Sequence, residues 1–465
     1  MRLSPTAKRR LRYPISAVLL GSCAVAQGAG FALLEQSGSG LGSAFAGSGA
    51  VAFDATTMFF NAAGLAYLDH PQAIVVASGI VISSEFHDRA SQPALAQPLG
   101  NEGGDAGGWN FVPSAYASMP INDKLAIGLG VNAPFGLKLE YDDGWIGRFQ
   151  ALRSEIQTIN VNPTLAYRVN DVVTLGVGVN YQTIQAELTN SVNYSAVIAQ
   201  GLQQLVAAGQ LAPQAVPAIV AQNAGLEGHA RVRGDDHAWG YNLGIMLDFD
   251  TGTRIGLSYR SSMDYKVSGS ANFQPPLVTQ ATGAAIVAAA SGLNGALENG
   301  AAHVDLELPD SALLSARQQI GDFELLADVA WTGWSSVQEL RVVRDTGATI
   351  SVTPEHWRDT WRFALGGTYA VSPTLKLRAG LAYDESAVPD TTRTPRLPDV
   401  SRKWVAIGAR WESNEALAFD FGYAHLFSSD VPLDQDGGNA NANALLVGDQ
   451  KSAIDIVSAQ ITVRF

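Results

Sequence analysis

The chain has 465 residues, of which 47% are hydrophobic and only 16% charged, short of the roughly 25% charged expected of a soluble globular protein. Its formal net charge is −13 and it has no basic patch, which disfavours nucleic acid as a partner, because neutralising phosphates requires clustered Lys and Arg. No run of about 18 consecutive apolar residues occurs, so spanning helices are disfavoured, and with no linker or composition break a single large domain is expected.

At the N-terminus, Arg2, Lys8, Arg9, Arg10 and Arg12 precede an apolar run over 15–25, and Ala24-Val25-Ala26 offers a small-x-small cleavage site. Residues 1–26 therefore read as a secretory signal peptide. Its removal takes away five basic residues, lowering the net charge to −18, and with them the only cysteine, Cys23. A thiol-free mature chain suits an oxidising compartment without needing disulfides. Leu20-Gly21-Ser22-Cys23 also loosely matches a lipoprotein cleavage box, but a globular motif follows at once with no tether between.

Residues 27–68 are rich in small side chains and lack clean alternation. A segment of that size at one end of a barrel is expected to plug the lumen as a hatch. From 69 to 465 the dominant pattern is period two, which places successive side chains on opposite faces of a strand. Val457, Ala459, Ile461, Val463 and Phe465 alternate with Ser458, Gln460, Thr462 and Arg464; Leu375, Leu377, Ala379, Leu381 and Tyr383 repeat the pattern. A soluble β-sandwich also alternates, but these runs reach the 9 to 11 residues that a bilayer-spanning strand needs, against a mode of 5 or 6 in globular sheets. Aromatics near the strand ends, namely Tyr167, Phe249, Trp357, Tyr369, Trp404 and Trp411, are expected to form interfacial girdles.

Short turns are expected at 120–123, 169–172, 248–252, 317–322, 371–374 and 412–415. Long connections are expected at 84–108, 138–154, 188–236, 268–301, 345–348, 384–401 and 428–451. Six turns on one side and seven connections on the other require fourteen strands, provided that 325–344 and 350–369 each count once. The fold class is thus all-β: a 14-stranded antiparallel transmembrane β-barrel of the bacterial outer membrane, with an N-terminal hatch inside the lumen.

Three features depart from the pattern. Asn132-Ala133-Pro134-Phe135-Gly136 interrupts a strand that alternates through Val131; because proline lacks the ladder donor, Pro134 and Gly136 either kink this strand open or end it. The connection 188–236 carries Ile198, Leu202, Leu205 and Val206 at helical spacing, and 268–301 is also unusually apolar. Such loops either offer a greasy entry groove or pack on themselves. Asp235-Asp236-His237 is a polar strand start rather than a metal site, since neighbours along a strand point opposite ways. No catalytic or phosphate-binding motif is present, and no cofactor or metal is implied.

The texts Ala29-Gly30-Phe31-Ala32-Leu33-Leu34-Glu35-Gln36-Ser37-Gly38 and Asp54-Ala55-Thr56-Thr57-Met58-Phe59-Phe60-Asn61-Ala62-Ala63-Gly64 resemble the N-terminal hatch of the long-chain fatty-acid transporter (FadL) family. Leu257-Ser258-Tyr259-Arg260-Ser261, Trp331-Thr332-Gly333-Trp334-Ser335 and Trp361-Arg362-Phe363-Ala364-Leu365-Gly366 extend the resemblance over nearly the whole chain. The family usually has Asn-Pro-Ala where this chain has Asn61-Ala62-Ala63, so the hatch turn loses a rigid residue.

The resemblance implies uptake of long-chain fatty acids or, in related members, aromatic hydrocarbons. The ligand would be caught by Leu202 and Leu205, pass Phe59, Phe60 and Asn61, and leave sideways through a gap at Asn132, Pro134, Phe135 and Gly136 into outer-membrane lipid. Fatty-acid-binding members place cations near positions matching Asn190 and Thr353, neither of which is basic here; an uncharged alkane or aromatic ligand therefore stays open. An outer-membrane lipolytic enzyme using His425, or an adhesive barrel without ligand, are the other readings. The chain is expected to act as a monomer, with Phe465 read by the barrel assembly machinery.

Overall fold

The computed structural model describes residues 30–249 and 251–465. The expected signal peptide and Cys23 lie outside the described residues. Fourteen antiparallel wall strands follow one another in chain order. They are β1 (Gln72–Asp88), β2 (Gly108–Asn122), β3 (Leu125–Asn132, then Gly136–Glu140), β4 (Arg153–Arg168) and β5 (Val173–Asn193). Next come β6 (Glu227–Phe249), β7 (Thr253–Arg260, then Met263–Gln274), β8 (Gly300–Leu308, then Ser311–Ile320) and β9 (Phe323–Thr332, then Glu339–Arg344). The circuit ends with β10 (Thr349–Pro354, then Thr360–Ser372), β11 (Leu375–Asp384), β12 (Arg402–Asn414), β13 (Leu417–Ser428, then Val431–Gln435) and β14 (Leu446–Arg464). β14 pairs with β1 from Gln72↔Arg464 to Asp88↔Gly448, which closes the cylinder. Closure removes the free edges that an open sheet would present.

Burial along the strands is inverted relative to a soluble sheet. On β14, Val457 and Ile461 are 45% and 46% exposed, whereas Gln460 and Thr462 are 1% and 0% exposed. Apolar side chains facing outward need hydrocarbon around them, so the period-two pattern denotes a lipid-facing wall around a polar lumen, and the β-sandwich is excluded. The segments 325–344 and 350–369 do each build one wall strand, β9 and β10, with a break in each.

Two girdle expectations are corrected. Tyr167, Phe249, Tyr369 and Trp411 face outward, but Trp404 and Trp357 are buried inside. Trp404 shares its phase with the inward Arg402, Ala406 and Arg410, so it points into the lumen and packs edge-on to Phe45. Trp357 sits in the break of β10 and joins Phe31 and Trp334 in an aromatic cluster.

Residues 30–68 lie inside the barrel, turning through Gly38–Leu41, Thr57–Phe60 and Ala62–Tyr67. They approach the wall so closely that wall glycines are required. A Cβ on Gly380 would collide with the Ser43 backbone, and one on Gly244 with the Asn61 amide. Charge then pins the segment. Asp328 of β9 accepts from the amides of Gly47 and Ser48 at 2.9 and 3.1 Å, while Asp54 faces Arg410 of β12 at 3.6 Å. Arg410 and Arg378 share buried Asp420 at 2.8 and 2.7 Å.

Candidate functional site

The irregular strand β3 opens the wall. Up to Val131 it pairs with β2, ending at Ala115↔Val131. After Pro134 it turns inward and its second half, Gly136–Glu140, pairs only with β4. Among the described residues, 108–114 of β2 keep β1 as partner and have none on the β3 side. The strand is thus kinked rather than ended. Proline explains the break, since it cannot donate to the ladder.

From inside, the hatch meets this gap. Ala32 bridges to Phe135, with Leu33 N–H donating to Pro134 O at 2.8 Å and Gly136 N–H to Phe31 O at 2.9 Å. The Gln36 amide spans the opening: Oε1 accepts from Ser114 Oγ at 2.8 Å and from Ala133 N–H at 3.2 Å, and Nε2 donates to Ala133 O at 2.7 Å.

Next to the kink lies a cavity whose empty space, open mouth included, comes to about 900 Å³. Phe45, Phe59, Phe60 and Phe135 supply aromatic surface, with Leu33, Leu34 and Pro134 beside them. Arg260, Arg362 and Asp328 add charge. Asp328 is occupied by the hatch, as described, and Arg362 donates to Ala44 O at 2.7 Å. Half-buried Arg260 donates to Asn180 Oδ1 and Phe59 O, each at 2.9 Å, and lies over the Phe59 ring at 4.7 Å. No carboxylate pairs with it among the described residues.

Of the expected site residues, Phe59, Phe60, Pro134 and Phe135 come together around this cavity. Gly136 and Asn132 flank the gap without lining the cavity. Asn61 holds the hatch: Oδ1 accepts from Ala63 N–H at 3.1 Å, and Nδ2 donates to Gly49 O at 2.8 Å and Ile245 O at 3.1 Å. Those bonds fix the turn in the absence of the usual proline. Leu202 and Leu205 lie far along the chain, on helix α1 (Tyr194–Ala207), which packs with α2 (Val216–Gln222) and α3 (Ala281–Ser291). Leu202 is fully buried there with Tyr194, Ile198 and Val287, while Leu205 is half-buried. The two apolar loops therefore pack on each other, at least through Leu202. His425 lies on the outer wall and its Nδ1 bonds Asp455 at 2.8 Å.

Sequence reasoning passed over Arg260. Its signal was an arginine in phase with the inward Gly256 and Ser258 of the same strand. It also missed Arg396, which loop 385–401 brings to Asn190 at 3.2 Å. A cation does stand beside one of the two positions that the sequence leaves neutral.

The model of a family described as "Outer membrane protein transport protein (OMPP1/FadL/TodX)" matches residues 19–465. The chain is 30% identical over 425 residues to a long-chain fatty acid transport protein of Escherichia coli O6:H1, covering 89% of this chain and 90% of that one. It is likewise 30% identical over 427 residues to outer membrane protein P1 of Haemophilus influenzae, covering 89% of each. A FadL homologue of Pseudomonas aeruginosa superposes with a TM-score of 0.81 at 27% identity, covering 94% of this chain and 100% of that one. The toluene transporter TodX of Pseudomonas putida shares the fold, with a TM-score of 0.64 at 15% identity over 94% of this chain and 99% of that one.

Proposed function

Because the chain belongs to the OMPP1/FadL/TodX family of outer membrane transport proteins, and so carries hydrophobic molecules across that membrane, we propose that its ligand is a long-chain fatty acid. The observation that carries this reading is Arg260, a guanidinium with no carboxylate partner among the described residues, in a phenylalanine-lined cavity. Aromatic and aliphatic walls take the chain, and a charge-assisted hydrogen bond takes the carboxylate. Asp328 does not cancel the cation, since its oxygens are committed to Gly47 and Ser48. An uncharged hydrocarbon is the second reading, favoured by the four phenylalanines of the lining.

Capture belongs to the outer loops, where Leu277 and Leu293 stand 87% and 85% exposed and Leu205 is half-buried; Leu202 holds the helices together. Release is lateral, through the gap at Pro134. A chain entering water loses about 0.8 kcal/mol per CH₂, and a direct opening into lipid avoids that step.

Replacing Arg260 by Met tests the ligand class. Oleate binding to the purified protein should weaken about tenfold or more, the scale of one hydrogen bond to a charged group, while hexadecane binding stays the same. Unchanged oleate affinity would favour the uncharged ligand.

A further inference from the structure

The wall between Arg260 and the gap carries a continuous line of buried amides. Arg260 Nη1 donates to Asn180 Oδ1 at 2.9 Å. The same oxygen accepts from Asn160 Nδ2 at 3.0 Å, and Asn160 Nδ2 also reaches Asn132 Oδ1 at 3.1 Å. Asn180 Nδ2 donates to Asn242 Oδ1 at 3.0 Å, and Asn242 lines the cavity. The line thus crosses from β7 through β6, β5 and β4 to β3, roughly 19 Å at the usual spacing of neighbouring strands. It ends at Asn132, the last residue before the kink.

Asn132, Asn160 and Asn180 are 2%, 0% and 0% exposed. Burying amides is unfavourable unless their hydrogen bonds are met. Here they are met only in part: Asn132 Nδ2, Asn160 Oδ1 and both amide atoms of neighbouring Gln182 have no partner among the described residues. A channel built for a bare hydrocarbon gains nothing from a half-satisfied polar line between its cavity and its exit. A ligand with an anionic head does, because a carboxylate leaving Arg260 would otherwise cross apolar surface unpaired. Each amide carries two N–H donors, and Asn132 Nδ2 is without a partner among the described residues.

We propose that Asn180, Asn160 and Asn132 form a polar track that passes the carboxylate of the ligand from Arg260 to the wall gap while its chain slides over the phenylalanines. This rests on the fatty-acid reading and adds the residues that move the head group.

The test compares oleate with methyl oleate, which has the same chain and no charge, in cells carrying the wild type, Asn160→Leu or Asn160→Asp, with heat-modifiability as the check on folding. Asn160→Leu should bind oleate like the wild type in detergent yet pass it about tenfold more slowly, the loss of one charge-assisted hydrogen bond, with methyl oleate passage unchanged. Asn160→Asp, nearly isosteric, should slow oleate at least as much by charge repulsion. Equal slowing of both ligands would mean that the amides only hold the strands together, and unchanged oleate passage would mean that the head group takes another route; either result overturns the track. Wild-type protein that binds no oleate, or Arg260→Met protein that binds it undiminished, would instead overturn the carboxylate site on which the track depends.

Discussion

Glu355 lies in the outer break of β10, where its carboxylate accepts from Trp357 Nε1 at 2.8 Å. Burial pushes this carboxyl up to about 7, against the lowering pull of Trp357 and of Arg396. A carboxyl held above its ordinary range contributes stability in full below that range, and the contribution is lost as pH rises through the folded value. The outer mouth around Trp357 and loop 385–401 should therefore loosen as pH rises from the ordinary carboxyl range of about 4.5 to about 7, the window set by that shift. Glu355→Gln should remove the dependence, read as the wild-type-to-variant ratio of proteolysis in 385–401 at each pH. A ratio independent of pH would show that Glu355 does not control the mouth. The same residues mark how far single positions could be read. Trp404 was in plain phase with Arg402 and Arg410, so parity outweighed its aromatic character, whereas nothing local to Trp357 tells that a strand break turns it inward.

Among the elements, β3 decides the most. Proline and glycine announce a disrupted strand, but whether the chain leaves the sheet or bends within it depends on what pairs with Gly136–Glu140, and β4 does. Converting the kink to a regular strand, with Pro134→Thr restoring the donor and Gly136→Ala the side chain, should close the ladder against residues 108–114. Alanine is chosen because a Cβ at 136 already stands 3.1 Å from Leu33 of the hatch, and valine would press harder. Fatty-acid uptake should fall to the level of cells lacking the protein while oleate binding to the purified barrel persists. Normal uptake with a closed ladder would move the exit to the hatch. The loop helices teach the opposite lesson. Helical spacing placed Ile198, Leu202 and Leu205 on one face, but an apolar face says nothing about its occupant, and Gly201 lets Ile286 of α3 come against it.

At the scale of the whole molecule, the hatch is tied to three separate strands around the barrel, to β9 through Asp328, to β12 through Arg410 and to β6 through Asn61. Buried ion pairs lose about 3–5 kcal/mol when one partner is removed, so expelling the segment as a body is far costlier than opening the wall beside Pro134. For assembly we propose a role for the other end of the chain. Phe465 is 75% exposed and its N–H donates to Pro71 O at 3.0 Å, so it adds little to the folded barrel itself. Its unbroken alternation with β14 suits recognition by the barrel assembly machinery. Deleting it should lower the heat-modifiable protein in the outer membrane several-fold while leaving the melting behaviour of the barrel that does fold nearly unchanged. Equal yield would remove the C-terminal signal.

The sequence by itself determined the wall: its period of two, the six short turns and seven outer connections, and the polarity of each face follow from local spacing, because a strand's side chains alternate whatever it pairs with. It also marked Phe59, Phe60, Pro134 and Phe135, through composition and resemblance. Only the tertiary structure decided that these four share one cavity with Arg260, that Gln36 bridges the gap, and that Arg396 reaches Asn190. Those contacts join residues tens to hundreds of positions apart, and closing a barrel around a hatch is what fixes which inward side chains meet.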